Sequence, residues 1–452
     1  MNKIGKISVM LLAAATSVGI LSSCGSSESD KKTVKFAYQA TGDTSAISKW
    51  MKDVKAQFES ENKGATLKLE PIKSNGDDYG SKLALMSKSE KTAPDLMILD
   101  TEMIRPYVAA GYLKPIDDQL KGWKDWSQYF DSSKNAGKAD DGKIYAVPLG
   151  TDTRGIWYNK DILKKAGLSD NWQPKSWDEV IDAATKIKKT QPDVIPMNLY
   201  AGRPLGEVSV MQGFDMLLYG TKGGTLYNTK TQKWVTGSKQ FKDSLQFIKD
   251  IYSKGLAPTP QQALDPQLGD KVGQQWMPQS KLGMSIEGNW LASSWMPGGD
   301  SEWADWQKHI GWCGFPTQNG QKPGLISMSG GWGLALSSHT QNPDLAFKAL
   351  KVFQNEKHAA AYDTISGSIA VRKDVEQDKK YLGSNPTIKF FTDLAKYSQY
   401  RPANSQYKEV SDQVAIATES VLTGQKSVKD AAAEYDSAIT KTVGADHTEA
   451  AK

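Results

Sequence analysis

Apolar and amphipathic stretches alternate through the first hundred residues. Apolar runs typical of strands cover residues 33–39, 66–69 and 95–99. Between them, apolar residues recur at the three- and four-residue spacing of one helix face, first from Ser45 onward and again over 79–86. The run at 95–99 is typical of a strand covered on both faces of a parallel sheet. The order strand, helix, strand, helix, strand predicts an α/β fold.

Polar residues follow two of these strands and are candidate ligand contacts. In parallel α/β sheets, ligands bind beyond the carboxyl ends of the strands. That rule selects Gln39 after the first strand, and Asp100 and Glu102 after the third. The two carboxylates suit a helix N-cap and a first helical turn equally well, so capping remains an alternative to binding.

Residues 141–161 change the pattern, because two apolar runs there flank a polar stretch bounded by glycines. The runs cover 144–148 and 156–158, and the stretch between them carries Asp152 and Arg154. A plain strand–turn–strand with surface charges is one interpretation. The other is a chain that passes between two bodies and presents both charges to a cleft.

The chain beyond residue 161 adds one more candidate contact and two irregular segments. A predicted strand over 195–200 ends at Tyr200, which could meet a ligand; a turn with an exposed Arg203 is the alternative. Residues 261–279 are rich in Gln, Pro and Gly and are expected to be irregular. The polar residues 446–452 are expected to form a frayed tail.

The amino terminus has the pattern of a bacterial lipoprotein signal. Two lysines precede an apolar stretch at 9–20 that is too short to span a membrane. The residues LSSC that end at Cys24 resemble a lipobox. We therefore expect a signal peptide over 1–24 that is cut before Cys24, lipid on that cysteine, and a flexible tether over 25–32. An ordinary secretory signal with an incidental cysteine is the alternative.

Length, charge and cysteine count narrow the class of protein. With 452 residues, the chain is long enough for two large lobes. Its formal net charge of +5 is spread without a basic block, which argues against a nucleic-acid partner. If Cys24 carries lipid, Cys313 has no partner, so no disulfide is expected. Cys313 is then expected to be a small buried apolar residue.

Signatures of catalysis and of metal binding are weak. The sequence has no GxSxG elbow, no HExxH motif and no Walker loop. Its four histidines lack the spacing of metal ligands. We therefore expect no enzymatic activity, no cofactor and no metal site, although two carboxylates distant in sequence could still meet as a glycosidase pair.

Several stretches resemble family 1 extracellular solute-binding proteins, the maltose-binding-protein-like sugar receptors of ABC importers. They span nearly the whole mature chain in the order of that family: APDLMILD, GYLKPID, GKIYAVP, WYNKDILKKAGL, KLGMSIEGNW, GGWGLALSSHTQNPDLAFKAL and SGSIAVRKDV. GKIYAVP and WYNKDILKKAGL resemble the interlobe crossover, and KLGMSIEGNW resembles the return strand. By position in these motifs, the resemblance implies that Trp290 stacks on sugar and that Arg372 lies in a loop that meets the ligand or the hinge.

The resemblance implies a two-lobed periplasmic-binding-protein fold, type II-like, with three crossings and a ligand cleft between the lobes. By analogy, the first lobe holds 33–148 and 285–353, and the second holds 149–284 and 354–445. The expected ligand-binding residues are Gln39, Asp100, Glu102, Asp152, Arg154, Tyr200, Trp290, Trp332 and Arg372.

Fourteen tryptophans favour a carbohydrate ligand. Sugars present apolar C–H faces and polar edges, which flat aromatic rings and charge-assisted hydrogen bonds recognise. Trp157, Trp290 and Trp332 are favoured as contacts, because they lie in the crossover or in glycine-flanked stretches. The high count favours an oligosaccharide over a monosaccharide.

The function implied by the resemblance is that of an extracellular lipoprotein that captures a sugar by lobe closure and delivers it to the permease subunits of an ABC transporter. The protein is expected to be a monomer anchored through lipid on Cys24. Its location would be the outer face of a Gram-positive cell, or the periplasmic side in a Gram-negative one. The alternatives are a secreted lipoprotein glycoside hydrolase or lyase, and an adhesin-like carbohydrate-binding module.

Overall fold

The computed structural model describes residues 32–40, 45–73 and 77–451. The expected signal peptide, the lipobox cysteine Cys24 and the expected tether up to residue 31 lie outside the described residues.

Strands are distributed along the whole described chain. They are β1 (Thr33–Ala40), β2 (Thr66–Lys73), β3 (Leu96–Asp100), β4 (Ala146–Thr151), β5 (Arg154–Asn159), β6 (Ile195–Asn198), β7 (Tyr227–Asn228), β8 (Lys233–Thr236), β9 (Leu282–Gly288), β10 (Ile310–Cys313), β11 (Phe315–Pro316), β12 (Leu325–Ser329), β13 (Gly331–Leu336), β14 (Ser398–Tyr400) and β15 (Thr448–Ala450).

Helices alternate with these strands. They are α1 (Ser45–Glu61), α2 (Asp77–Ser87), α3 (Ile104–Ala109), α4 (Asp117–Lys121), α5 (Asp131–Ala136), α6 (Lys160–Lys165), α7 (Trp177–Thr190), α8 (Asp215–Leu218), α9 (Lys239–Ser253), α10 (Pro260–Ala263), α11 (Leu268–Asp270), α12 (Trp306–His309), α13 (Pro343–Phe353), α14 (Glu356–Ser366), α15 (Lys373–Glu376), α16 (Lys379–Ser384), α17 (Ile388–Leu394), α18 (Tyr407–Leu422) and α19 (Val428–Val443). Short 3₁₀ segments and two π-helical segments, Val208–Phe214 and Lys271–Trp276, join them.

Five strands form the first sheet, in the order β2–β1–β3–β13–β4. Strand β1 is parallel to β2 and β3, which confirms the α/β arrangement predicted for the first hundred residues. In β3, Leu96 and Ile98 pack in one hydrophobic cluster, whereas Met97 and Leu99 pack in another. Both faces of this strand are therefore buried, as its apolar sequence predicted.

Four strands form the second sheet, in the order β10–β5–β9–β6. Strands β5 and β9 are antiparallel, and β6 is parallel to β9. Helices α7, α9, α18 and α19 contribute to a hydrophobic cluster of their own with residues of β5, β6 and β9. Cys313 in β10 is buried in this cluster, as predicted for a small apolar residue.

The chain passes between the two sheets where the sequence placed its central crossover. Strand β4 lies in the first sheet and β5 in the second, so the crossing consists of Asp152 and Thr153. A second crossing is Gly330, which joins β12, a strand of a small three-stranded sheet with β11 and β14, to β13 of the first sheet. A third stretch runs beside the first crossing, because the backbones of Ile369 and Thr151 exchange hydrogen bonds of 2.8 and 3.0 Å.

The expected lobe boundary at residue 285 does not coincide with a sheet boundary. Strands β9 and β10 lie in the second sheet, and the chain returns to the first sheet only at Gly331. Residues 285–288 and 310–313, expected in the first lobe, are therefore parts of strands in the second sheet. The resemblance placed the return strand correctly along the chain, but the partner of a strand depends on residues more than a hundred positions away. We propose 331 as the corrected boundary.

Two segments expected to be irregular have regular structure. Residues 448–450 form β15, which pairs in parallel with β8, and Ala451 N–H donates to Thr236 O at 2.8 Å. The expectation of a frayed tail is therefore wrong for residues 448–451, and Lys452 lies outside the described residues. Residues 261–279 contain parts of helices α10 and α11 and the π-helical segment.

Within the described ranges, no helix combines the length and apolar character that a membrane-spanning segment requires.

Candidate functional site

A cavity of about 120 Å³ lies where the crossings meet. Strands β4 and β13 of the first sheet line it, together with the residues that follow β9 in the second sheet and the end of α14. Its lining residues are Gly150, Thr151, Asp152, Asn289, Trp290, Gly331, Trp332, Tyr362, Ser366 and Ser368. The cavity thus brings together three residues selected from sequence, Asp152, Trp290 and Trp332.

Trp290 is held over the end of β9 by its neighbours. Gly288 makes room for the indole, because a Cβ atom at that position would lie 2.0 Å from Cζ3 of the ring. Asn289 joins this turn to the first crossing: its Oδ1 accepts from Thr153 N–H at 2.8 Å, and its own N–H donates to Thr153 O at 3.2 Å. The guanidinium carbon of Arg154 lies 4.9 Å from the centroid of the Trp290 ring. Contacts within the protein therefore fix the position of the indole.

Trp332 enters the cavity from the first sheet. It lies opposite Asp100 of β3 and Gly150 of β4, and its ring meets the edge of Tyr79 at 6.2 Å between centroids. Gly331 before it has φ +138°, and a Cβ atom there would lie 2.3 Å from Gly150 O. Only glycine allows this close approach of the two strands, which sets Trp332 at the cavity wall.

Asp152 links the first crossing to the second. Its Oδ1 accepts from Arg154 Nη1 at 2.5 Å and from Gly330 N–H at 2.8 Å. Arg154 Nη1 also donates to Met328 O at 3.1 Å. Arg154 itself does not line the cavity. The Arg154 side chain donates to the Asp152 carboxylate and packs on the Trp290 ring. Arg154 therefore lies behind two residues that line the cavity.

The polar wall of the cavity consists largely of residues that the sequence reasoning missed. Ser366 and Ser368 lie 2.8 Å apart between their hydroxyl oxygens, and Tyr362 lies one helical turn before Ser366. Thr151 Oγ1 donates to Gly330 O at 2.8 Å. The two serines that flank the glycine in SGSIAVRKDV could have indicated this polar wall. The sequence prediction selected the arginine of the same stretch instead.

Arg372, the charged residue of that stretch, lies outside the cavity lining and is 1% exposed. Its guanidinium donates to Asp374 Oδ2 at 2.6 Å and to Gln354 O, and it lies 5.5 Å from the Tyr129 ring. Asp125 Oδ2 lies 3.3 Å from Nη2 on the same side chain. These contacts attach the third stretch to the first lobe, so Arg372 stabilises the fold and does not contact the cavity.

Asp100 and Glu102 are engaged by a buried arginine from the second half of the chain. Asp100 caps the following 3₁₀ turn, because its Oδ1 accepts from Glu102 N–H at 3.1 Å, as the capping alternative predicted. The same oxygen accepts from Arg401 Nη2 at 2.5 Å, and Arg401 Nη1 lies 3.3 Å from Glu102 Oε2. On its other side, Arg401 Nη1 lies 3.6 Å from Glu207 Oε1. No pattern in the sequence singled out Arg401.

Tyr200, Gln39 and Trp157 also lie outside the cavity lining. Tyr200 is buried, and its hydroxyl donates to Glu287 Oε1 at 2.6 Å. Gln39 lies near the end of β1, opposite Ile72 of β2. Trp157 is completely buried and stacks on Phe391 at 5.2 Å between ring centroids, so it belongs to the core.

No group of three or more His, Cys, Asp or Glu side chains with metal-binding geometry occurs in the described part of the chain. What the cavity offers is two partly exposed indoles, one carboxylate and several hydroxyls. Such a set can stack on an apolar face and hydrogen-bond several hydroxyl groups at its edge.

Comparisons with known proteins extend over most of the chain. A family model described as bacterial extracellular solute-binding protein matches residues 41–360. The diacetylchitobiose binding protein DasA of Streptomyces coelicolor is 27% identical over 348 residues, which cover 76% of this chain and 73% of that protein. The galactooligosaccharide-binding protein of Bacillus subtilis is 23% identical over 430 residues, which cover 94% of each chain.

The fold matches solved structures of binding proteins. The GacH receptor of Streptomyces glaucescens, whose structures include an acarbose complex, matches with a TM-score of 0.76 at 22% identity, over 91% of this chain and 98% of that one. This match confirms the two-lobed periplasmic-binding-protein fold. Proteins of the matched family bind solutes and are not enzymes, and the comparisons give the hydrolase or lyase alternative no support. Because the family model covers more than half of its length, the chain belongs to the bacterial extracellular solute-binding proteins.

Proposed function

We propose that this protein captures a carbohydrate between its lobes and delivers it to the permease of an ABC transporter. The observation that carries the proposal is the cavity at the crossings, where Trp290 and Trp332 accompany Asp152 and a row of hydroxyls. Aromatic rings cover the C–H faces of a sugar, and carboxylate and hydroxyl oxygens accept hydrogen bonds from its hydroxyls. A micromolar dissociation constant corresponds to about −8 kcal/mol, which a few such contacts supply after ordering costs.

The ligand we propose is an oligosaccharide. Relatives named for diacetylchitobiose and galactooligosaccharide binding support this choice. The tryptophan count supports it less than the sequence suggested, because only two of the fourteen tryptophans line the cavity. Trp157, Trp234 and Trp295 are almost completely buried and serve the core.

The cellular context forms part of the same proposal. Lipid on Cys24 would anchor the protein, as a monomer, to the outer face of a Gram-positive membrane or to the periplasmic side in a Gram-negative cell. Closure of the lobes around the crossings would present the loaded protein to the permease subunits. Lipid anchoring, the permease and the monomeric state rest on the amino-terminal pattern and on membership in the family.

A thermal-shift screen of residues 25–452 tests the function. We expect one or a few of maltose, mannobiose, diacetylchitobiose and galactooligosaccharides to raise the melting temperature, because a ligand that binds only the folded state stabilises it. Chromatography of the sugar after incubation should return it unchanged. A cleaved sugar would contradict a transport receptor, and the absence of any shift would contradict the proposed ligand class.

Replacing Trp290 with alanine should weaken binding of the sugar found in that screen about tenfold or more, about 1–3 kcal/mol. The indole is partly exposed at the cavity, so its loss removes the stacking surface while leaving the core in place. Isothermal titration calorimetry measures the change. Trp303→Ala is the matched control, because Trp303 is also partly exposed but does not line the cavity. Equal affinities of the two variants would show that the sugar binds elsewhere.

A further inference from the structure

A second carboxyl group lies directly behind the cavity wall. Asp363 follows Tyr362 on helix α14 and is 2% exposed. A Cβ atom on Gly150 would lie 3.1 Å from Asp363 Oδ1 and also 3.1 Å from Ser368 Oγ. Gly150 and Ser368 both line the cavity, and so do Tyr362 and Ser366 from the same helix. Because residue 150 has no side chain, the Asp363 carboxyl can pack directly against the backbone of a residue that lines the cavity.

This carboxyl lacks the partner that burial demands. Its Oδ1 has no hydrogen-bond partner among the residues that the structure describes. A buried polar atom without a partner destabilises the protein, so buried carboxyl oxygens are normally satisfied by protein, water or ligand. Burial raises the pKa of Asp363 well above its ordinary value, against the opposite effect of Arg372. The raised pKa favours the protonated form of this carboxyl, which has one proton to donate and an oxygen to accept.

We propose that Asp363 is a specificity-determining residue of the binding site, whose carboxyl hydrogen-bonds a hydroxyl group of the bound sugar at the wall formed by Gly150 and Ser368. The proposal rests on the proposed function and names the chemistry at one position of the ligand. A hydroxyl there both donates and accepts, which matches a neutral carboxyl. An apolar substituent at that position would leave the buried carboxyl oxygen without a partner, so the site favours a sugar unit that carries a hydroxyl group there.

Two substitutions separate hydrogen bonding from packing. Asp363→Asn keeps the shape and one donor and one acceptor, so affinity should stay within about threefold. Asp363→Leu keeps a similar volume but makes no hydrogen bond, so affinity should fall by about tenfold or more. Asp215→Leu is the matched control, because Asp215 is also buried and its pKa is also raised by burial, but its helix, α8, contributes no residue to the cavity lining. That variant should bind sugar like the unchanged protein.

Calorimetry with the sugar found among maltose, mannobiose, diacetylchitobiose and galactooligosaccharides measures these affinities. Infrared difference spectra supply a second readout, because the C=O stretching band of the protonated Asp363 should move to lower frequency when the sugar binds. That shift should be missing in Asp363→Asn and present in Asp215→Leu. It also keeps the proposal testable if Asp363→Leu does not fold.

The outcomes distinguish this proposal from the function on which it rests. Undiminished affinity of a folded Asp363→Leu, or no infrared shift in the unchanged protein, would overturn the role of Asp363 while leaving sugar binding in place. If the unchanged protein bound none of the four sugars, the proposed function would fail and the role of Asp363 with it. Tenfold loss in the leucine variant alone, accompanied by the band shift, would support both.

Discussion

Arg401→Met is expected to lower the free energy of unfolding by about 3–5 kcal/mol, the largest effect of a single substitution that we predict. Arg401 bridges Asp100 and Glu102, at the end of a strand of the first sheet, to Glu207, which directly precedes a π-helical segment. The arginine side chain is 6% exposed, and those of Glu102 and Glu207 are 8% and 11% exposed. Methionine would fill much of the volume but leave three carboxylates close together without their cation.

The cost of desolvating charged groups explains why Arg401→Met should lower the free energy of unfolding by so much. Taking charges out of water is costly, and only their mutual attraction offsets that cost, so removing one partner leaves the others uncompensated. Glu207 has further donors, because Tyr407 Oη donates to its Oε1 at 2.6 Å and Ser411 Oγ donates to its Oε2 at 2.5 Å. These hydroxyls do not replace a positive charge. Urea unfolding of the two proteins at neutral pH measures the difference.

Arg203→Met is the control for the loss of an arginine. Arg203 pairs with Glu419 at 2.9 Å, but its side chain is 64% exposed. Water screens such a pair, so the expected loss is about 1 kcal/mol or less. If Arg401→Met cost no more than Arg203→Met, the buried cluster would make no net contribution to stability.

Glu287→Gln is expected to remove a pH dependence of stability worth about 3 kcal/mol. Burial raises the pKa of Glu287 from 4.5 to about 7, although hydrogen bonds from Tyr200, Ser285 and Gln212 act in the opposite direction. Because the pKa is raised in the folded state, the folded protein binds the proton more tightly than the unfolded chain does. The stabilisation is complete below pH 4.5 and is lost as the pH rises through about 7.

Urea unfolding at about pH 5 and pH 8 measures this effect, since other titrating groups cancel when the variant is subtracted. The unchanged protein should lose stability relative to Glu287→Gln over that interval. The Gln side chain cannot ionise, and it retains an acceptor for the Tyr200 hydroxyl. Parallel pH profiles of the two proteins would show that Glu287 keeps an ordinary pKa despite its burial.

Asp152 shows why a charged residue near a cleft is difficult to interpret from sequence. The glycine-bounded stretch predicted that Asp152 and Arg154 would lie at a crossing between two bodies, and they do. The sequence could not show that the two side chains pair with each other and that Asp152 also holds Gly330 N–H. Asp152→Ala would therefore disturb the crossing as well as the cavity, which makes Trp290→Ala the cleaner test of binding.

The sequence by itself determined the features that depend on local spacing. Periodicity predicted β1, α1, β2, α2 and β3, and the apolar run of β3 predicted a strand buried on both faces. Of the three tryptophans favoured as contacts, Trp290 and Trp332 line the cavity, whereas Trp157 is buried in the core. These successes share a cause: exposure along one strand, helix or turn is set by residues within a few positions of each other.

The tertiary structure alone decided which distant residues became partners. Arg401 meets Asp100 from 301 positions away, β9 joins the second sheet, and residues 448–450 add a strand to β8. A carboxylate after a strand suits a ligand, a helix cap or an arginine equally well, and nothing near it in sequence decides among them. Two serines at and just beyond the end of α14 line the cavity, and the Asp363 carboxyl lies behind them, for the same reason. The contents of the binding site are fixed by long-range packing, whereas its position at the crossings is visible in the local pattern.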